Sequence, residues 1–184
     1  MKKLFITIFL LTCSLFAQDW DGGFRIDFVG IDRNISGSNN FLFKAIPSSF
    51  HLTAGYDLSN SFKTEVRAGY CGVANYRGME AGLYLHYLML KDLYLLSGLN
   101  IHANINDPTP GYYPTTFYLF CIGSGYKITK YTSIEIEYSV PLDDDKLSFK
   151  MAGYKTPLFV NGEKVVADRL TGILKIGVGF NWSF

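Results

Sequence analysis

Leu174-Lys175-Ile176-Gly177-Val178-Gly179-Phe180-Asn181-Trp182-Ser183-Phe184 ends the chain, and its reading decides the fold. The even positions hold Leu, Ile, Val, Phe, Trp and Phe, while the odd ones hold Lys, Gly, Gly, Asn and Ser. Successive side chains of a strand point to opposite faces, so this alternation makes one apolar and one mixed face. Wound as a helix, the same residues would spread the apolar side chains around the whole cylinder.

The pattern recurs upstream. Alternation places strands near 22–31, 48–57, 62–72, 79–90, 93–104, 116–127 and 131–140, with the last at 170–184. No stretch in residues 18–184 keeps an apolar 3.6-residue period for three turns. One face carries Phe24, Ile26 and Phe28, then Phe50, Leu52 and Tyr56, then Leu83, Leu85 and Tyr87, and so on to the C-terminus. None of the positions on that face is charged. The opposite faces hold Arg25, Asp27, Asp57, Lys63, Glu65, Arg67, Glu80, Lys127, Glu135, Glu137 and Lys175.

Alternation fits two opposite designs. A soluble barrel or sandwich turns its apolar face inward, whereas a membrane barrel turns it toward lipid and keeps polar groups in the lumen. Three features favour the second. Short connections at 58–61, 91–92 and 128–130 alternate with longer ones expected at 32–47, 73–78, 105–115 and 141–169. Pro47, Pro108, Pro110, Pro114, Pro141 and Pro157 all fall in the longer connections or at strand ends beside them, where no ladder donor is needed. Aromatics crowd the strand ends: Tyr56, Phe62, Tyr126, Tyr131, Trp182 and Phe184 at one, Phe28, Phe50, Tyr70, Tyr118 and Tyr138 at the other. Amphipathic rings belong at headgroup level. The expected fold is all-β, an eight-stranded antiparallel up-and-down transmembrane barrel.

Composition agrees. The chain has 184 residues, enough for one domain, with 48% apolar, 16% aromatic and 18% charged residues. Disordered chains are poorer in aromatics, and nucleic-acid binders carry a strong basic bias. Here 17 basic residues face 16 acidic ones, and loss of Lys2 and Lys3 leaves 15 against 16. No nucleic-acid partner is expected. Lys2 and Lys3 followed by an apolar run through Ala17 read as a signal peptide over 1–17, with the barrel domain at 18–184. The run is too short to cross a bilayer, for which a helix needs about 20 residues. An uncleaved anchor and lipidation at Cys13 are the alternatives. Cys71 and Cys121 read as buried thiols.

The closing Val178, Phe180, Trp182 and Phe184 resemble the C-terminal signal of bacterial outer-membrane proteins. With the leader and eight strands, the mature chain resembles the small barrels of the OmpA/OmpX type. That resemblance implies the outer membrane as location. It also implies recognition by the outer-membrane assembly machinery, and a surround of lipids and lipopolysaccharide. Nothing follows Phe184 here, so the peptidoglycan-binding domain of OmpA itself is not carried over.

An eight-stranded lumen holds side chains and little else. Charges enclosed in it must be paired or hydrated. The expected lumen network is Arg25, Asp27, Lys63, Glu65, Arg67, Glu80, Glu135, Glu137 and Lys175; a narrow polar path is the alternative. The connection 141–169 contains Asn161-Gly162 between apolar runs, a hairpin signal. It is expected to carry the last two strands beyond the membrane as a ribbon. Phe149, Tyr154, Phe159, Asn161 and Gly162 are its candidate contacts for a surface protein or ligand. Asp143, Asp144 and Asp145 lack the glycine and distal glutamate of an EF-hand loop. His51, His86 and His102 face inward on three strands, with no Ser-His-acid spacing that demands catalysis. No cofactor or metal motif is expected. The resulting expectation is a non-enzymatic structural or surface-interaction protein. A lipid A-modifying enzyme and a secreted soluble carrier for a small apolar ligand are the alternatives.

Overall fold

Alternating sequences need neighbours to satisfy their backbone edges, and here every barrel strand finds one on each side. The computed structural model describes residues 20–35, 38–73, 76–105, 116–143, 159–160, 163–164 and 169–183. The strands are β1 (Trp20–Ile35), β2 (Ser38–Phe43), β3 (Ser49–Asp57), β4 (Phe62–Val73), β5 (Tyr76–Leu88) and β6 (Leu93–Asn104). They continue with β7 (Thr116–Lys127), β8 (Thr132–Pro141), β9 (Phe159–Val160), β10 (Glu163–Lys164) and β11 (Arg169–Ser183). Strands β1, β3 to β8 and β11 pair antiparallel in order, and β11 pairs back onto β1, closing an eight-stranded barrel. Closure leaves no open edge among these eight strands, the condition for crossing lipid, while β2 has β1 as its one strand partner among the described residues.

The wall is inverted relative to a soluble barrel. Leu52, Leu83, Leu99 and Ile122 are 56–62% exposed on the outer face, whereas Arg25, Asp27, Glu80 and Lys175 are at most 3% exposed inside. The soluble-carrier reading fails on this point, because its charges would be outside. Aromatics ring both ends of the outer face. Trp20 packs on Tyr56 and Phe62 on Tyr87 at the short-turn end, with Tyr126, Tyr131 and Trp182 exposed beside them. Phe50, Tyr70, Tyr118 and Tyr138 are exposed toward the other.

Two connections differ from expectation. The stretch 32–47 is mostly strand: β1 runs on to Ile35, and β2 pairs with its upper half from Ile35↔Ser38 to Gly30↔Phe43. The polar run there suggested a loop, yet Asn34 Nδ2 donates to Asn39 Oδ1 across the ladder at 2.8 Å. Between β2 and β3 the chain stays on β1 through Lys44 N to Val29 O and Ser48 N to Asp27 O, and Pro47 sits in that break. The connection 73–78 is tight, because the ladder extends to Val73↔Tyr76. Among the described residues the ladder between β8 and β11 reaches Ser139↔Ile173, and β9 pairs with β10 in a two-stranded sheet; most of 141–169, on which the expected ribbon falls, lies outside the described residues. The register of β9 and β10, Val160↔Glu163, brackets Asn161 and Gly162.

Inward glycines make room for inward tyrosines. Tyr84 lies opposite Gly98, and Tyr94 opposite Gly125. A methyl group at Gly98 would meet the Tyr84 ring at 2.7 Å and the Leu83 carbonyl oxygen at 2.5 Å. Gly98→Val is therefore expected to displace Tyr84 and cost about 1–3 kcal/mol. A denaturant midpoint in detergent equal to that of the parent would contradict this packing.

Candidate functional site

Residues two apart on a strand share a face, so Arg25 with Asp27, Glu65 with Arg67, and Glu135 with Glu137 all enter the lumen together. Arg67 from β4 reaches across to β8. Its Nε donates to Glu65 Oε1 at 2.6 Å, Nη2 to Glu135 Oε2 at 2.8 Å, and Nη1 to Glu137 Oε2 at 3.1 Å. Its guanidinium lies 4.3 Å over the Tyr84 ring. Arg25 Nε donates to Asp27 Oδ1 at 2.5 Å, and its Nη1 pairs with Glu135. The Tyr94 hydroxyl donates to the other oxygen of Glu135 at 2.5 Å. These charges are almost wholly buried, and each carboxylate has a cation beside it.

Toward the loop end, Glu80 gathers a second cluster. Lys175 Nζ donates to its Oε2 at 2.6 Å and Tyr76 OH to its Oε1 at 2.8 Å. His51 Nε2 lies 2.7 Å from Oε2 and His102 Nδ1 3.2 Å from Oε1. The Ser49 hydroxyl is 3.2 Å from His51 Nδ1, so Ser49, His51 and Glu80 form the serine–histidine–acid row that sequence spacing did not reveal. Glu80 is shared among a lysine, a tyrosine and two histidines, and Ser49 is 3% exposed. A nucleophile needs substrate access as well as a base, and this row is sealed within packed side chains.

Above the cluster the lumen turns apolar. Val29, Ile31, Cys71, Val73, Phe117, Leu119, Cys121, Leu170 and Ile173 fill it, all at most 6% exposed. Buried apolar side chains of this kind offer little to replace an ion's hydration shell. Cys71 and Cys121 lie in this layer as free thiols. A polar maleimide added to the folded barrel is expected to leave both unlabelled, and to label both after unfolding. Rapid labelling in the folded state, read by mass, would show that water reaches the layer.

Among the described residues the opposite end holds a partly open cavity. It has a volume of about 460 Å³ and lies between the turns at 58–61 and 128–131. Glu65, His86, Tyr94, Ser133 and Glu135 line it on the lumen side. At its mouth Lys63 Nζ pairs with Asp21 Oδ2 at 2.5 Å.

The sequence-predicted lumen residues are thus divided. Arg25, Asp27, Glu65, Arg67, Glu135 and Glu137 meet in one cluster, Glu80 and Lys175 in the next, and Lys63 stands at the mouth. His51, Tyr76, Tyr84, Tyr94 and Asp21 were missing from the expected network. Their inward parity was readable, but parity does not say which inward groups meet across the lumen. Val178 is half-buried, and Phe180 and Trp182 are exposed on the outer face. Phe184, Phe149, Tyr154, Asn161 and Gly162 lie outside the described residues, and of Phe159 only its place in β9 is described.

No family model matches the chain. No curated protein matches either. Among solved structures, the N-terminal β-barrel domain of Pseudomonas aeruginosa OprF is similar at 16% identity and a TM-score of 0.45, covering 87% of this chain and 97% of that one. Ail, the attachment invasion locus protein of Yersinia pestis, solved with the heparin analogue sucrose octasulfate, is 11% identical with a TM-score of 0.46, covering 89% and 99%. Neisserial surface protein A is 13% identical with a TM-score of 0.45, covering 89% and 97%. At these values the likeness concerns strand arrangement. The closed register, the buried ion pairs and the exposed apolar wall belong to this chain itself. It is a transmembrane β-barrel.

Proposed function

We propose that this chain is an outer-membrane barrel with a structural and surface-interaction role, neither a channel nor an enzyme. The observation that carries the reading is the lumen: ion-paired through its middle and filled toward the loop end by an apolar layer. A conduction path needs hydrated groups along its whole length, and the row at Ser49 lacks access for a lipid substrate. The basic start and apolar run of residues 1–17 and the alternating residues that end in Phe184 support the location. Lipids, lipopolysaccharide and, during insertion, the assembly machinery are the partners that location supplies. Recognition at the loop end rests on the 141–169 connection, with Phe149, Tyr154, Phe159, Asn161 and Gly162 as candidate contacts for a surface protein or ligand.

Heat-modifiable gel migration tests this with protein extracted from outer membranes, beside a Phe184 deletion. A folded band that shifts on heating and weakens in the deletion is expected. A protein soluble without detergent and indifferent to the deletion would overturn the reading. Lipid A masses that change when the gene is removed would instead favour the enzyme.

A further inference from the structure

The cavity between the two short turns has spent its acceptors and kept its donors. Of the carboxylates on it, Glu65 is held by Arg67 at 2.6 Å and lies 3.7 Å from Lys63. Glu135 is held by Arg25, by Arg67 at 2.8 Å and by the Tyr94 hydroxyl. Asp57 at the rim is the one carboxylate of the lining without an ion pair among the described residues.

The donors are different. His86, 7% exposed, lines the cavity, and its Nε2 has no hydrogen-bond partner among the described residues; Glu65 Oε1 is 3.7 Å away. Its ring is fixed by stacking on Tyr94, with centroids 5.1 Å apart. Lys127 has no ion pair among the described residues, and Lys130 Nζ lies 4.5 Å over the Tyr131 ring. Ser59 Oγ accepts from Ser61 N and Phe62 N, and Thr129 Oγ1 accepts from Tyr131 N and Thr132 N. Each hydroxyl is therefore held in place with its own proton still to give. The third short turn has the same backbone bonds, Met89 N and Leu90 N to Leu93 O, but places Leu90 where the others have Ser59 and Thr129. That turn does not border the cavity.

We propose that this cavity binds a small phosphate ester of a polyol. Lys127 and Lys130 would meet phosphate oxygens, since charge-assisted bonds to phosphate suit ammonium donors. The hydroxyls of Ser59 and Thr129 and the amide of Asn60 match a polyol. A volume of about 460 Å³ suits such a molecule, being far larger than inorganic phosphate requires. The inference rests on the barrel alone and holds whatever the loop end recognises. The ester has two sources, a free phosphomonoester or the headgroup of a lipid in the adjoining leaflet.

The folded full-length mature barrel in neutral detergent is titrated calorimetrically with glycerol 3-phosphate, with glycerol as the uncharged control. In a second arm, phosphatidylglycerol is added to the micelles and retention is read by native mass spectrometry. Saturable binding of glycerol 3-phosphate, absent with glycerol, is expected for a free ester; retention of phosphatidylglycerol alone assigns the lipid headgroup. Either should weaken about tenfold or more in the Lys127→Ala/Lys130→Ala pair and tighten in Asp57→Asn. These positions lie at strand ends and turns, so the heat-shifted band should persist and report folding independently. No binding in either arm, glycerol binding as well as its phosphate, or unchanged affinity in the lysine pair would each overturn the proposal.

Discussion

Arg67→Ala should lower the unfolding free energy of the barrel by about 3–5 kcal/mol while leaving its ion conductance at the parent level. Arg67 is the cation that Glu65, Glu135 and Glu137 share, at 2.6, 2.8 and 3.1 Å. Its removal sets these carboxylates against one another in a buried layer, where Arg25, Lys63 and the cross-strand Lys175 offset them only in part. Its planar fork reaches two strands at once, which a single ammonium cannot do, so Arg67→Lys should fall between parent and alanine variant. Conductance stays unchanged because the apolar layer around Ile31, Phe117 and Leu119 fills the lumen independently of Arg67. Urea unfolding in detergent and planar-bilayer recording give the two readouts. An unshifted midpoint would sink the network as a source of stability, and new conductance would show that the ion pairs themselves form the barrier.

Glu80→Ala should cost a similar amount, about 3–5 kcal/mol, by a different route. It strands the Lys175 ammonium, 2% exposed, and removes the acceptor for Tyr76, His51 and His102. Glu80→Gln keeps an acceptor of the same shape and should lose less. The pair Glu80→Leu with Lys175→Met removes both charges together and should recover most of the loss, because replacing a buried pair avoids the cost of leaving one member unpaired. Additive single-variant losses in that pair would show that the two residues do not act on each other.

Much of this was legible in one dimension. Thr116–Lys127 is strand where alternation put it, and the other barrel strands differ mainly at their ends. The misread parts share a cause. Ser36-Gly37 flanked by Ser and Asn residues has the composition of a loop, and the backbone partner that turns β2 into a strand is the upper half of β1. Likewise 73–78 looked long until Val73 met Tyr76. Strand ends depend on what lies beside them, and local sequence does not record that.

The candidate site divides the same way. Parity put Arg25, Glu65, Arg67, Glu80, Glu135, Glu137 and Lys175 inside, because a period of two fixes a face from sequence alone. It could not say that Arg67 meets residues 68 and 70 positions away, or that Lys175 meets Glu80 across 95. Nor could it find the row of Ser49, His51 and Glu80, or show that Val29, Phe117 and Ile173 fill the lumen toward one end while a cavity lies at the other. Sequence determined which side of the wall each residue occupies, since that follows from the geometry of a single strand. Only closure of the barrel decided which inward groups face one another, since that depends on register and stagger accumulated around the whole wall.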